Sequence, residues 1–382
     1  MGTIAPGMEE TAMLEILAVD AWKLTIPRTR PFAIALGQID GAENILIRVR
    51  AAGGAYGWGE GSPLRYVTGE TQSTAFLLAG ELGRLLLGKD ALAIAARVAE
   101  MDRFLAGNPT LKSALDMALY DLAARHAGLP LYAFLGGERR SFWTDDTIGL
   151  DTPEAMAEAA VDVLGRGFPA VKAKLGTGPQ EDVARIRAIR KAIGGEVPLR
   201  IDANQGWDVP TAVQVLRELT AFDIEYCEQP VARWDVEGLC RVRAASRIPI
   251  MADEALFDHH DALHLARIGA CDYFNIKLAK CGGIHTALRI VAVAEAAGIP
   301  CMLGCMWETR LALSAMAHLV SARPAIAFAD LDGHTGHAVD PILGGITYTG
   351  GRIDLPEMPG HGAEVDPAFL ARMEGYTVGP AA

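Results

Sequence analysis

The chain has 382 residues, of which 51% are hydrophobic, and its formal net charge is −12 at pH 7. This length allows two domains or one large domain, and the negative charge argues against a nucleic-acid or anionic-membrane partner. No apolar run is long enough to span a membrane. The six cysteines form no C-x-x-C pair, so we expect reduced thiols in a cytoplasmic protein. Residues 1–11 lack the pattern of a signal peptide and are predicted to form a loose tail.

The first part of the chain, residues 1–139, is predicted to form a small α+β domain. Alternating apolar side chains predict strands at residues 14–24 and 44–50. The glycine-rich run 53–61 then breaks the strand pattern. Helical periodicity follows, and the segment Gly128-Leu-Pro130 ends the last helix. The predicted helices cover residues 71–87, 91–105 and 108–127.

From residue 140 to residue 337, short apolar strands alternate with amphipathic helices. Eight such strands predict a parallel sheet, and their spacing favours closure into a (β/α)8-type barrel, a modified TIM barrel. An open doubly wound sheet is the alternative, disfavoured because polar residues recur at strand ends along the whole region. Residues 338–382 are predicted to pack back on the first domain. The predicted strands cover residues 147–150, 170–175, 199–201, 224–227, 250–252, 273–276, 301–303 and 326–329, and the helices between them include 153–164, 181–193 and 210–219.

Two lysines, Lys172 and Lys174, lie two residues apart on one predicted strand, so their side chains share a face. If that face points into a barrel, the two ammonium groups are crowded and desolvated. Both effects lower a lysine pKa, which makes a lysine usable as a base near neutral pH. The alternative is an exposed edge strand with solvated lysines, and it is disfavoured because a closed barrel has no edge strand.

Polar residues end successive strands of this region at a regular interval. Lys174, Asp202, Glu228, Asp253 and Lys277 follow one another at steps of 28, 26, 25 and 24 residues. Barrel enzymes keep their sites at the carboxyl ends of the strands, so these groups are expected to converge. Three carboxylates together suit a hard cation such as Mg²⁺. The alternative is that each acid caps the helix that follows.

The residues beside these acids are suited to orient them, and the acids and lysines together suggest a proton-transfer reaction. Asn204 and Glu254 are expected to hold the metal ligands in place by hydrogen bonds. A divalent cation can bind a substrate carboxylate and stabilise the enediolate that remains when the α-proton departs. A lysine on each side of that carbon can remove the proton from one face and return it from the other. The product would be the epimer.

The motifs K-x-K, D-x-N, E-Q-P, D-E and K-x-x-K-x-G-G, in this order, resemble those of the enolase superfamily, muconate-lactonizing subgroup. The resemblance covers nearly the whole chain and implies an α+β capping domain that closes over the barrel mouth. It implies that Lys174 and Lys277 are the paired acid/base residues and that Lys172 tunes Lys174 and the bound carboxylate. The implied ligands of the metal are Asp202, Glu228 and Asp253.

The segment Asp330-Leu-Asp332, at the end of the eighth predicted strand, indicates which enzymes of this family the chain resembles. The pair resembles the Asp-x-Asp with which dipeptide epimerases hold the α-ammonium of the N-terminal residue. Thr68-Gly69-Glu70 is similar to the Thr-Gly-Glu of those enzymes, which implies that Thr68 contacts the substrate. The implied activity is a Mg²⁺-dependent dipeptide epimerase that moves a proton at the α-carbon of the C-terminal residue. The alternative is a loop with two solvated acids.

One departure from the family pattern concerns the substrate. Epimerases that prefer a C-terminal glutamate carry an arginine shortly after a Pro-Phe pair, and here the equivalent position is Gly37. A neutral or apolar dipeptide is therefore expected, although nearby arginines could compensate. Open alternatives are an N-acylamino-acid racemase or o-succinylbenzoate synthase, another dehydratase or cycloisomerase, and a non-catalytic binding protein. A homo-oligomer is possible. The compensating arginines would be Arg28, Arg30 and Arg65.

Overall fold

The N-terminal part of the chain, together with the last strand, forms an antiparallel sheet that is covered by helices. The computed structural model describes residues 13–380, so the predicted tail at residues 1–11 lies outside the described part. The sheet has the order β17 (Gly375–Val378), β1 (Ile16–Ile34), β2 (Gly37–Ala51) and β3 (Tyr56–Gly61), and the long hairpin of β1 and β2 forms its centre. The helices are α1 (Gln72–Leu86), α2 (Ile94–Phe104), α3 (Pro109–His126) and α4 (Leu131–Phe134).

The glycine-rich run breaks the strand pattern only at its start, where Gly53 and Gly54 lie in a short 3-10 turn, and the prediction is wrong for residues 56–61. Those residues form strand β3, whose alternate glycines face helix α3. A Cβ atom on Gly59 would lie 1.9 Å from the carbonyl oxygen of Ala114, and one on Gly57 would lie 2.2 Å from that of Ala118. Glycine is unfavourable in a strand interior unless another backbone approaches closely. Here the missing side chains let α3 lie directly on the sheet.

The second half contains eight parallel strands in consecutive order, from β5 to β12. This confirms the predicted (β/α)8-type barrel with an α+β capping domain. The eight barrel strands are β5 (Asp146–Ile148), β6 (Val171–Lys174), β7 (Leu199–Asp202), β8 (Ile224–Glu228), β9 (Ile250–Ala252), β10 (Tyr273–Ile276), β11 (Cys301–Gly304) and β12 (Ile326–Asp330). The short strand β4 (Phe142–Trp143) precedes them and belongs to a separate three-stranded antiparallel sheet. The helices are α5 (Pro153–Gly165), α6 (Pro179–Ile193), α7 (Val209–Leu219), α8 (Val236–Ala245), α9 (His259–Ile268), α10 (Leu278–Cys281), α11 (Ile284–Ala297) and α12 (Arg310–Ala322).

Side chains join the first and last barrel strands, β5 and β12. The amide of Thr147 donates to Asp332 Oδ2 at 2.7 Å, and the amide of Leu331 donates to Thr144 Oγ1 at 2.8 Å. These bonds bring the carboxyl end of β12 against β5. The Asp-x-Asp pair therefore lies at the seam of the barrel.

The C-terminal residues return to the first half of the molecule. Strand β17 pairs with β1 in antiparallel register, so that Val378 lies opposite Val19. The predicted domain limits of 1–139, 140–337 and 338–382 stay a prediction. Among residues 13–380, no helix has the length and apolar character needed to cross a membrane. The last elements are β13 (Ile342–Gly344), β14 (Thr347–Thr349), β15 (Arg352–Asp354), β16 (Ala363–Val365), α13 (Pro367–Leu370) and β17 (Gly375–Val378).

Glu60 of β3 connects the capping sheet to a barrel helix. Its carboxylate is buried and accepts hydrogen bonds from the amide of Thr309 at 2.9 Å and from the Thr309 hydroxyl at 2.6 Å. Thr309 is the N-cap of α12. A buried carboxylate at the amino end of a helix satisfies free N–H groups and interacts favourably with the helix dipole. The capping sheet is thereby held against the seventh strand–helix unit.

Candidate active site

Lys172 and Lys174 both point into the barrel from β6, which lies between β5 and β7. Lys174 Nζ donates to Asp202 Oδ2 at 2.5 Å. Lys172 Nζ lies 2.7 Å from Asp330 Oδ2 and 2.6 Å from Glu228 Oε2. Both side chains are buried, so the alternative of solvated lysines on an edge strand does not apply.

The three acids predicted to bind a metal converge on the same side of the barrel interior. Asp202 and Glu228 end β7 and β8, and Asp253 directly follows β9. All three are buried, and one carboxylate oxygen from each lies within 4.8 Å of the others. They do not cap the helices that follow. That task belongs to three other aspartates, which are Asp208, Asp235 and Asp258.

Lys277 lies across the barrel from Lys174. It follows β10, four strands from β6 in an eight-stranded order, and its Nζ lies 3.0 Å from Asp253 Oδ2. The acids of β7, β8 and β9 occupy the strand ends between the two lysines. A substrate carbon held beside the acids would therefore have an ammonium group on each side.

Asn204 and Glu254 lie beside the acid cluster. The amide of Asn204 donates to Asp202 Oδ1 at 2.8 Å, and its Nδ2 donates to Glu254 Oε1 at 3.1 Å. Burial and the charge of Asp253 raise the pKa of Glu254 to about 7. These contacts hold the Asp202 carboxylate in one orientation, as a supporting shell does at a metal site.

Three further residues that orient the acids were not assigned from the sequence. Asn275 Nδ2 donates to Glu228 Oε1 at 2.7 Å, and Gln229 Oε1 accepts from the amide of Asp253 at 2.9 Å. Lys280 is fully buried, and its Nζ contacts the Asp253 carboxylate and backbone oxygen. The spacing of Lys277 and Lys280 contained the signal for Lys280, because residues three apart share a helix face.

The predicted lowering of the lysine pKa is wrong for Lys172, and the pKa of Lys277 is raised as well. Burial by itself lowers both pKa values, but the surrounding carboxylates raise them above the ordinary lysine value. The acids responsible are Asp330 and Glu228 for Lys172, and Asp253 and Glu228 for Lys277. Each ammonium lies closer to a carboxylate than the sequence pattern alone indicated. Burial and the negative charge of Asp202 raise the pKa of Glu228 to about 8.

The residues present fit a hard divalent cation. The cluster supplies only carboxylate oxygens, the ligand type that Mg²⁺ prefers. In addition, two buried side-chain oxygens near the cluster accept no hydrogen bond from residues 13–380. These atoms are Glu254 Oε2 and Asn204 Oδ1. Buried oxygens without donors are costly unless a cation or water satisfies them.

Asp330 and Asp332 face the same central pocket from β12 and the turn after it. Asp330 is buried and bonded to Lys172, whereas Asp332 accepts a hydrogen bond from the amide of Thr147. Burial and the charge of Asp330 raise the pKa of Asp332 well above its ordinary value. The alternative of a loop with two solvated acids therefore does not apply to this pair. The pocket's polar and charged lining comprises Arg28, Thr147, Lys174, Asn204, Asp253, Glu254, Lys277, Asp330, Asp332 and Thr335.

The structure does not bring Thr68 to the central pocket. Its hydroxyl donates to the carbonyl of Leu64 at 3.3 Å and organises the loop. Glu70 accepts hydrogen bonds from the amides of Thr110 and Leu111 and so caps helix α3. The Thr-Gly-Glu segment thus shapes the loop, while neighbouring residues Leu64 and Val67 reach the pocket.

The outer part of the central pocket is apolar except for one arginine. Arg28 lines it, whereas Arg30 and Arg65 do not. Trp307, from the turn after β11, also lines the pocket and was not assigned from the sequence. The other apolar residues come mainly from the capping domain, and they are Phe32, Ile34, Ile39, Leu64, Val67 and Met306.

Comparison with known families matches both halves of the chain. Residues 18–136 match the mandelate racemase / muconate lactonizing enzyme N-terminal domain, and residues 155–369 match the enolase C-terminal domain-like family. The chain belongs to the mandelate racemase / muconate lactonizing enzyme family of the enolase superfamily. This membership confirms the resemblance drawn from the motifs.

Relatives of similar length within this family include several epimerases and an N-succinyl-L-Arg/Lys racemase. The D-Ala-D/L-Ala epimerase of Cytophaga hutchinsonii is 43% identical over 94% of this chain and 98% of that protein. The hydrophobic dipeptide epimerase of Enterococcus faecalis is 43% identical over 86% of this chain and 93% of that protein. A crystal structure of the Cytophaga hutchinsonii dipeptide epimerase, complexed with Mg and D-Ala-L-Val, has a TM-score of 0.94 and covers 96% of this chain and 100% of that one, with 42% identity.

Proposed function

We propose that the protein is a Mg²⁺-dependent dipeptide epimerase that inverts the α-carbon of the C-terminal residue. The observation that carries the proposal is that two separate clusters of acidic residues face one pocket. An acid cluster suited to a cation lies between Lys174 and Lys277, and the pair Asp330 and Asp332 lies at the barrel seam. The first group suits a substrate carboxylate, and the second suits a substrate ammonium. A dipeptide carries both.

The metal would be held by Asp202, Glu228 and Asp253. When bound, Mg²⁺ supplies positive charge that offsets the three carboxylates and stabilises the substrate carboxylate after the α-proton has left. Asn204 and Glu254 keep the ligands oriented. Burial of all three acids excludes water from their surroundings and strengthens every interaction there.

Lys174 and Lys277 would exchange the α-proton from opposite faces of the substrate. One lysine, as the neutral amine, accepts the proton at its Nζ, and the other, as the ammonium, donates a proton from its own Nζ to the other face of the carbon. Their locations on β6 and after β10 supply the two faces. Lys172, between Glu228 and Asp330, would contribute positive charge near both ends of the substrate.

The pocket favours an uncharged side chain at the C-terminal residue of the substrate. Gly37 stands where an arginine would be expected for a C-terminal glutamate, and Arg65 lies outside the central pocket. The outer lining contributed by Ile34, Ile39 and Leu64 is apolar. Two relatives are named for small or hydrophobic dipeptides, whereas two others at 40% identity are named L-Ala-D/L-Glu epimerases, so the preference rests on the pocket lining.

The runner-up functions share the lysines and the acid cluster. An N-acylamino-acid racemase or an o-succinylbenzoate synthase acts on substrates without a free ammonium, so it would leave Asp332 without a cation to bind. A dehydratase or cycloisomerase would release water or close a ring. The geometry at the barrel seam favours the epimerase over these reactions.

We also place the enzyme in the cytoplasm. All six cysteines are free thiols, and five of them are buried, as expected for a protein kept under reducing conditions. The proposed partner is the small dipeptide itself, with neither nucleic acid nor membrane involved. A homo-oligomer remains part of the proposal.

The decisive experiment is a mass-spectrometric screen in deuterated water. Purified protein with Mg²⁺ is mixed with pooled L,L-dipeptides and, separately, with pooled N-succinyl amino acids. Gain of a single deuterium by particular dipeptides, abolished by excess chelator and restored by Mg²⁺, is the expected result. Exchange only in the succinylated pool would replace the proposal by the racemase. Full exchange in excess chelator would overturn the metal assignment.

A further inference from the structure

Arg28 is held firmly in the wall of the central pocket. Its guanidinium carbon lies 4.2 Å from the centre of the Trp307 ring and 5.2 Å from that of Phe32. Its Nε donates to the carbonyl of Arg30 at 3.2 Å. Stacking on two rings and a backbone hydrogen bond fix the planar group in one orientation.

The loop after Asp332 packs on the other side of the same guanidinium. A Cβ atom on Gly336 would lie 2.1 Å from Arg28 Nη2, so a side chain there would have to displace the guanidinium. Arg28 Nη1 is buried and donates to no acceptor among residues 13–380. An unpaired charged donor in a pocket wall is costly, and a ligand acceptor would satisfy it.

The charge of Arg28 acts on the end of the pocket that holds the Asp-x-Asp pair. Asp332 and Asp146 are the acids whose charges oppose the effect of burial on Arg28. Neither acid forms an ion pair with Arg28 within the described chain. Asp146 pairs with Arg166 instead, and Asp332 accepts the hydrogen bond from Thr147. The positive charge therefore remains uncompensated at short range.

We propose that Arg28 selects the substrate by the charge of its N-terminal side chain. This inference rests on the proposed function, in which Asp330 and Asp332 bind the α-ammonium of that residue. The side chain of the same residue then lies within reach of the fixed guanidinium. An acidic or uncharged side chain is accepted, and a carboxylate can take the free Nη1 donor. A lysine or arginine side chain is repelled.

The test compares L-Glu-L-Val with L-Lys-L-Val as substrates of variants at this position. Wild-type protein is expected to prefer L-Glu-L-Val in kcat/KM. Arg28→Met keeps the stacked stem without the charge, and it should reduce the ratio of the two kcat/KM values by about tenfold. Arg28→Lys restores a charge without the planar stack, and it should retain most of the preference. Arg28→Gln is a second neutral variant in case the methionine variant does not fold.

Arg30→Gln is the matched control, because Arg30 is exposed and lies outside the central pocket. In this variant the ratio of the kcat/KM values for L-Glu-L-Val and L-Lys-L-Val should stay within about twofold of the wild-type ratio, because the substitution changes no contact with the substrate. An unchanged ratio in a folded neutral variant at Arg28 overturns the inference while leaving the epimerase intact. Absence of exchange with every dipeptide would instead overturn the proposed function itself, so the two failures are distinguishable.

Discussion

Lys172, Lys174 and Lys277 are each held by a carboxylate that comes from another strand or strand end. Lys174 pairs with Asp202, Lys277 pairs with Asp253, and Lys172 bridges Glu228 and Asp330. Removing one member of a buried pair leaves the other charge uncompensated, at a cost of about 3–5 kcal/mol. Variants at these lysines therefore need a measurement of folding beside the measurement of activity.

The two faces of the reaction can be separated by single substitutions. In Lys174→Ala and in Lys277→Ala, epimerisation should fall by about 10²–10⁴-fold, since proton transfer on one face is lost. Each variant should still exchange the α-proton of one epimer in deuterated water, and the two variants should retain opposite epimers. Circular dichroism controls for folding. If both folded variants retained exchange with the same epimer, the lysines would not serve opposite faces.

The acid at the barrel seam distinguishes a dipeptide from an acylated amino acid. Asp332→Asn keeps an acceptor for the Thr147 amide but removes the negative charge that would bind an ammonium. Its kcat/KM for dipeptides should fall by about 100-fold. Asp40→Asn, at an exposed position of β2, is the control and should behave as wild type. Nearly intact dipeptide activity in Asp332→Asn would point to the runner-up racemase.

At the scale of elements, the barrel strands were predictable because each is a short apolar run that ends in a polar residue. Strand β9 and strand β10 have the predicted bounds, and helix α5 differs from its prediction by one residue. The bounds of strand β3 were obscured because glycine signals a turn when it is considered locally. Its role depends on contact with α3, which lies about fifty residues later in the chain.

The close contact of β3 with α3 predicts a large effect from a small substitution. Gly59→Ala would force a Cβ atom to within 1.9 Å of the Ala114 carbonyl oxygen and should lower the free energy of unfolding by about 3 kcal/mol. Gly165→Ala is the control, because a Cβ atom there meets nothing within 4 Å and the residue ends helix α5. That variant should remain within about 1 kcal/mol of wild type. Urea unfolding measures both, and equal stabilities would contradict the packing described.

At the scale of the whole molecule, buried acids occupy the junction between the capping sheet and the barrel. Glu60 reaches Thr309 from β3, and Glu308 lies beside it with Oε2 accepting from the Met306 amide. Burial and the charge of Glu60 raise the pKa of Glu308 to about 8. The Glu308 carboxyl group in this junction therefore stays protonated at pH values at which an exposed glutamate is ionised.

Stability should depend on pH through this junction. The folded state retains a proton on Glu308 between about pH 4.5 and about pH 8, whereas the unfolded chain loses it near pH 4.5. The free energy of unfolding should therefore fall as the pH rises through that window, by up to about 1 kcal/mol per pH unit. Glu308→Gln should flatten the slope, and Glu158→Gln on the exposed face of α5 should not. Parallel slopes for all three proteins in urea titrations would refute the assignment.

The sequence by itself determined the barrel, the order of its strands and the identity of the groups at their ends. These features follow from local periodicity and from the rule that parallel strands end at one rim. The tertiary structure decided the rest. It raised the pKa values of Lys172 and Lys277, placed Thr68 away from the pocket and brought Arg28 onto Trp307. Each of these depends on contacts between residues far apart in the chain, and neither spacing nor residue type specifies the distances at which charges and rings meet.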